Sequence, residues 1–266
     1  MSFDKIKVIF IDIDGTLVDD NKNISFKTKE SIKRVVDKGI KVVITSGRDI
    51  LHTTKKSKNA NASSLVIASN GGQVVDYETN KTIFADYFND EILSKVWDYC
   101  MKIEAAVIMK GANHVYCNKY NTIKDGYILI DDVSSVECGI AQFLIITNQS
   151  HKIDLIRIYI ESLGLFVTSY YNGYLIDTSS GVCYIDVNNS DISKGTGVKK
   201  VLNYLNLDKE NSMCFGDYIN DIEMFKSCGY RVAMGNSCDE IKELADYVTR
   251  TNNEDGIAYF LDKYLW

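Results

Sequence analysis

The sequence predicts an α/β protein, a doubly wound parallel sheet interrupted by an α+β insertion. Three observations carry this expectation. The first 70 residues alternate strand-like and helix-like segments, residues 194–250 resume the same alternation, and the stretch between about residue 80 and residue 188 breaks it with shorter strands and hairpin-like turns. Two α/β halves then complete one sheet, and the expected division is 1–80 together with 189–266 as the core and 81–188 as the insertion.

KVIFIDI (7–13) opens the chain as a buried-type strand. FKTKESIKRVVDKG (26–39) follows, with Ile32, Val35 and Val36 at helical spacing among charged residues and Gly39 where a C-terminal cap belongs. IKVVITS, a polar helical stretch and SLVIASNGG continue the strand–helix–strand rhythm of a parallel sheet with crossover helices. In the insertion, VVDYETNKTIF, AAVIM, VYCNKY, QFLIIT and YLIDT read as strands, and EILSKVWDYCMK and KIDLIRIYIESLG as helices. SKGTGVKKVLNYLN, SMCFGD, NDIEMFKSC, YRVAM and a last helix before DYVTR restore the parallel pattern.

Composition narrows the function. At 45% hydrophobic and 25% charged residues, the 266-residue chain is of ordinary globular type. A net charge of -6 with dispersed lysines argues against nucleic acid as a partner. The opening MSFDKIKVIFIDIDGT is too short and too charged for a signal peptide or a membrane span, so a cytoplasmic protein with no membrane partner is the expectation. Seven cysteines without CxxC spacing fit free thiols in a reducing compartment, and Cys183 and Cys214 lie in apolar runs that suit buried thiols. The three histidines lack metal-ligand spacing. Proline is absent, against an average of about 5%, so turns fall to Gly, Asn and Asp.

Chemistry concentrates at strand ends. The first strand delivers Asp12 and Asp14, two residues apart and therefore on one side, where ligands gather in an open parallel sheet. Carboxylates this close repel unless a cation or shared proton intervenes. Taken alone, the pair also fits a polar strand exit with Asp14 closing an Asx-turn into Gly15. Three distant segments add the groups that phosphate chemistry uses: Ser46, Gly47 and Arg48 after IKVVIT, Lys194 opening a helix, and Gly216, Asp217, Asn220 and Asp221 after SMCF. Hydroxyl, cation and carboxylate at successive strand ends describe one site.

With these motifs together, DIDGTL at 12–17, SGR at 46–48, Lys194 in SKG and GDYINDIEM at 216–224, the chain resembles the haloacid dehalogenase superfamily, and within it the Cof-like sugar-phosphatase branch with a large cap. SNGG at 69–72 and DGIA at 255–258 are similar to shorter marks of that family, which more often has NGA in the first and threonine in place of Ser46; its acid ahead of the lysine region is Asp186 here. The resemblance implies a Rossmann-like core, with residues 81–188 as the cap, and a Mg2+-dependent phosphatase. Asp12 would be the nucleophile and Asp14 the general acid/base. Asp12, the Asp14 carbonyl and Asp217 would hold Mg2+, with Asp221 supporting it through water or through Lys194. Ser46, Gly47, Lys194 and Asn220 would bind the phosphoryl group of a small phosphorylated metabolite, and Asn70 and Gly71 would line the same site.

Two alternatives stand beside hydrolysis of a sugar phosphate. A hexose-phosphate phosphomutase shares the phospho-aspartate, although its cap usually carries arginines and Arg157 is the only one in this insertion. A phospho-aspartate regulatory or binding module would lack the need for an acid/base at Asp14. Substrate choice has no motif, and Asn113, His114, Tyr116, Tyr170, Tyr171 and Tyr174 are candidates by residue type alone. Oligomeric state leaves no mark in the sequence.

Overall fold

The computed structural model describes residues 3–119, 126–149, 152–169 and 182–265. YLIDT, Tyr170, Tyr171, Tyr174 and His151 lie outside the described residues. The chain divides into two compact units, 1–84 with 193–266 and 85–192.

In the first unit, β1 (Val8–Asp12) is buried at every position, as a strand covered on both faces must be. α1 (Phe26–Asp37) starts at Ser25, whose hydroxyl accepts the Thr28 N–H, and ends just before Gly39. β2 (Lys41–Thr45), α2 (Ile50–Asn59) and β3 (Leu65–Ala68) follow. β4 (Gln73–Asp76) turns back antiparallel on β3, and β5 (Lys81–Ala85) forms the sheet edge. VVDYETNKTIF, grouped from the sequence with the insertion's strands, thus belongs to the first sheet. Local alternation identifies a hairpin but not the sheet on which it docks.

The second unit comprises α3 (Asp90–Lys102), β6 (Ala106–Gly111), β7 (Val115–Cys117), β8 (Tyr127–Leu129), β9 (Ile140–Thr147), α4 (Ile153–Ser162), β10 (Leu165–Ser169) and β11 (Cys183–Asn189). Its six-stranded sheet runs β10-β11-β9-β6-β7-β8, antiparallel except for β7 with β8. Val107, Met109, Phe143, Ile145, Ile185 and Val187 project from one face into a cluster with Val96 and Trp97 of α3 and Ile156 and Ile160 of α4. The period of two in these strands thus has its cause in helices covering that face.

The chain returns to the first unit with α5 (Lys194–Leu205), β12 (Ser212–Gly216), α6 (Ile222–Ser227), β13 (Tyr230–Ala233), α7 (Asp239–Leu244), β14 (Tyr247–Val248) and α8 (Gly256–Tyr264). Strand order is β14-β13-β12-β1-β2-β3-β4-β5, with the first six parallel. The chain winds outward from β1 in one direction and later from β12 in the other. The crevice beyond the carboxyl ends of β1 and β12 is therefore the topological switch point, where such sheets bind ligands. No helix among the described residues is long and apolar enough to cross a membrane.

Apolar layers lie on both faces of this sheet. Ile9, Ile11, Val42, Ile44, Met213 and Phe215 pack with α1 and α8 on one side, and Val8, Phe10, Val43 and Cys214 pack with α5 and α6 on the other. Phe260 of α8, 1% exposed, sits among the rings of Phe3, Phe215, Tyr247 and Tyr264 at centroid distances of 4.8 to 5.9 Å. Truncation by Phe260→Ala is expected to cost about 3–5 kcal/mol, measured as a lowered urea midpoint. A loss below about 1 kcal/mol would contradict this packing.

Candidate active site

Alternation along β1 puts Asp12 on the face of Val8 and Phe10, toward α5. There it meets Lys194, the first residue of α5, whose Nζ lies 2.5 Å from Asp12 Oδ1 and 2.6 Å from Asp221 Oδ1. The ammonium is wholly buried, with its two partners nearly so. Asp217 follows β12 and takes a hydrogen bond from the Thr16 hydroxyl at 2.7 Å. One oxygen each from Asp12, Asp217 and Asp221 can be chosen so that all lie within 4.8 Å of one another. Asp221 Oδ2 already accepts the N–H groups of Asp217 and Tyr218 at 3.0 and 3.3 Å, and its Oδ1 holds Lys194. Asp221 thus braces the cluster from behind.

Burial, then the Asp221 charge, pushes the Asp217 carboxyl up to about 7, against the Thr16 hydrogen bond and Lys194. Asp12 is also driven well upward, by burial first, with Lys194 pulling it back and Asp221 and Asp217 adding to the rise. Burial would lower Lys194, but Asp12 and Asp221 together outweigh it and hold the ammonium above the ordinary lysine value. Two carboxylates thus share the one ammonium with a third beside them, so the site has a standing deficit of positive charge. An oxygen-rich, acid-heavy donor set of this kind fits a hard divalent cation.

Asp14 is set apart. Its carboxylate accepts Nε and Nη2 of Arg48, both at 2.8 Å, and Nζ of Lys22 at 3.0 Å, and it is 43% exposed. Burial favours a higher value, yet the Arg48 and Lys22 hydrogen bonds and charges hold its carboxyl well below the usual carboxylate range. Arg48 was noted in the sequence only as part of SGR; a partner 34 residues away leaves no local pattern. Thr16 and Lys22 were missed for the same reason, although Thr16 stands inside DIDGT.

The loop after β2 lies beside Asp12. Thr45 is in register with Asp12. Ser46 is buried, its Oγ accepts the Arg48 N–H at 3.1 Å, and its carbonyl accepts the Asn70 N–H at 3.0 Å. A Cβ on Gly47 would stand 2.7 Å from Asn70 Oδ1, so a larger residue there would push the Asn70 side chain aside. Gly71, at φ +98°, is where the turn meets α5, and a Cβ there would overlap the Ser193 carbonyl. Asn220 is half-buried in the short turn after β12. Asp12, Ser46, Gly47, Asn70, Gly71, Lys194, Asp217 and Asp221 therefore collect at the ends of four neighbouring parallel strands. Of the residues named by type in the insertion, Tyr116 is buried in its apolar cluster, and its hydroxyl accepts the Glu137 N–H.

The family model described as haloacid dehalogenase-like hydrolase matches residues 9–261. The chain is 31% identical over 260 residues to the 5-amino-6-(5-phospho-D-ribitylamino)uracil phosphatase YcsE of Bacillus subtilis, covering 95% of this chain and 93% of that one. It is 29% identical over 289 residues to YwtE, a phosphatase of the same name from the same organism, covering 98% of each. A haloacid dehalogenase-like hydrolase from Bacteroides thetaiotaomicron shares the fold, with a TM-score of 0.84 at 21% identity over 97% of this chain and 99% of that one.

The raised Asp217 carboxyl has a consequence for stability. Its folded value is about 7 against an ordinary 3.8, so between these the folded protein keeps a proton that the unfolded chain has released. Stability contributed by this group is then present at low pH and lost as pH rises toward 7 and just beyond. Chelator-treated protein is expected to melt at a lower temperature at pH 8 than at pH 6, and Asp217→Asn should flatten that slope. An equal slope in both proteins would refute the assignment.

Proposed function

Because the chain belongs to the haloacid dehalogenase-like hydrolase family and is a phosphatase, we propose that it hydrolyses small phosphomonoesters, sugar or polyol phosphates, with Mg2+ and through a phospho-aspartate on Asp12. The observation that carries this reading is the buried Lys194 ammonium bridging Asp12 and Asp221 beside Asp217, at the switch point of the sheet.

In the first half-reaction an Asp12 carboxylate oxygen attacks phosphorus, the bond from phosphorus to the ester oxygen breaks, and Asp14 gives that oxygen its proton. In the second, water attacks the phosphoryl group, Asp14 takes the water's proton, and Asp12 is released with inorganic phosphate. Lys194 aims the Asp12 carboxylate and offsets its charge, while the Ser46 hydroxyl and the Gly47 N–H hold phosphoryl oxygens, with Asn220 reaching the same group. Mg2+, held by the Asp12 and Asp217 carboxylates and the Asp14 carbonyl, would supply the charge that lets a carboxylate approach a phosphate anion. Asp221 acts through Lys194. Arg48 and Lys22 favour ionised Asp14, the form that accepts the water's proton; donating to the leaving oxygen requires Asp14 to loosen that pairing.

The polyol preference draws on the two Bacillus subtilis relatives, whose names place the phosphate on a ribityl chain. Residues 85–192 are proposed as the cap that excludes water during turnover. A phosphomutase is disfavoured because Arg157, on α4, is half-exposed and lies 3.9 Å from Glu161 on its own helix.

Purified protein with Mg2+ is expected to release phosphate from p-nitrophenyl phosphate, and a chelator should abolish that release. Asp12→Asn should lower turnover by about a thousandfold or more. Acid-quenched Asp14→Asn should accumulate phospho-enzyme, whereas undiminished turnover in that variant would remove Asp14 from the mechanism.

A further inference from the structure

Among the described residues, only Thr45 and Asn70 carry buried side-chain polar atoms with no hydrogen-bond partner, and both border the Ser46–Gly47 loop. Asn70 is the more telling. Its side chain is short of partners at both ends, Oδ1 and Nδ2, while the residue is 5% exposed. Because both ends are affected, the conclusion is the same whichever way the amide is turned.

Its backbone is held in an unusual form as well. Ser69, Asn70 and Gly71 have φ of +54°, +53° and +98° in succession, and two non-glycine residues in the left-handed region carry a steric cost. The Ser69 N–H to the Arg48 carbonyl, 2.9 Å, and the Asn70 N–H to the Ser46 carbonyl, 3.0 Å, pin the turn to the phosphoryl-binding loop. A costly turn that holds a buried, unsatisfied amide beside Gly47 is explained by a ligand that completes it.

The amide selects the chemistry of that ligand. Phosphoryl oxygens only accept, so they satisfy Nδ2 and leave Oδ1 facing an anion. A hydroxyl both donates and accepts, and two neighbouring hydroxyls satisfy both ends at once. We propose that Asn70 recognises a hydroxyl of the leaving group and thereby selects phosphate esters of sugars and polyols over esters of plain alcohols. The inference rests on the phosphatase reading above and adds the part of the substrate that is read.

The test compares kcat/KM for ribitol 5-phosphate with that for n-pentyl phosphate, which has the same carbon count and no other hydroxyl, in wild type and Asn70→Gly. Glycine accepts the left-handed backbone, so the variant removes the amide without straining the turn. Wild type is expected to favour ribitol 5-phosphate, and the preference should fall about tenfold or more in Asn70→Gly. A preference kept within about threefold overturns the inference. Parallel loss on both esters also overturns it and assigns Asn70 to the phosphoryl group. A shift in melting temperature without a change in preference overturns it in favour of a trapped water. Absence of phosphate release from either ester by wild type would instead sink the phosphatase reading itself.

Discussion

The ammonium of Lys194 is the contact on which the first unit's chemistry depends. It is fully buried and is the first residue of α5, where the helix dipole disfavours a cation. Two carboxylates from different parts of the chain overcome that penalty, Asp12 at the end of β1 and Asp221 in the turn after β12. Removing one partner of a buried ion pair costs about 3–5 kcal/mol, because the other is left unbalanced. The pairing therefore ties three segments into one arrangement, with Lys194 standing 182 residues from Asp12 and 27 from Asp221. Gly71 supplies the room for it, since only a residue without a side chain lets the turn after β3 meet the start of α5.

Around that contact the acids divide by environment. Asp12 and Asp221 are sealed, and Asp221 spends both oxygens on Lys194 and on backbone N–H groups, so it cannot wander. Asp14, two residues beyond Asp12, is partly open to solvent and paired with flexible cations. The nucleophile proposed at Asp12 gains from being fixed, because in-line attack tolerates little misplacement. The proton carrier proposed at Asp14 gains from reach, since it would serve a leaving oxygen and then a water. The strand's end, where rigid pairing gives way to a loop, separates these needs within three residues.

How much of this was legible in the sequence follows from the range of each signal. β1, β2 and β12 stood out because strands covered on both faces read as unbroken apolar runs, and Asp12 stood out because it terminates one. α1 showed itself through Ile32, Val35 and Val36. The β4–β5 hairpin was recognised as a hairpin but grouped with the insertion, because its alternation is the same whichever sheet it joins. Lys194 was placed among the strand-end groups by its company, but its specific role came from the resemblance: a lysine opening a helix is ordinarily solvated, and its burial depends on acids far away in the chain. The Arg48–Asp14 fork and the Thr16 support of Asp217 were not legible, since both are partnerships across long separations with no periodicity of their own.

The two units also hold buried polar groups of opposite character. On β6, β9 and β11, Lys110 Nζ donates to Gln142 at 2.5 Å and pairs with Asp186 at 3.2 Å, Gln142 donates to Asn188 at 2.9 Å, and Asn188 donates to the Ala141 carbonyl at 3.1 Å. Each member has a partner, so the network is complete as it stands and accounts for Asp186 as a structural acid. Asn70 and Thr45 are buried just as deeply and have none. Satisfied burial stabilises a sheet, whereas unsatisfied burial is a cost that folding alone does not recover. That cost falls at the loop beside Asp12, where the hydroxyl contact proposed for Asn70 would offset part of it.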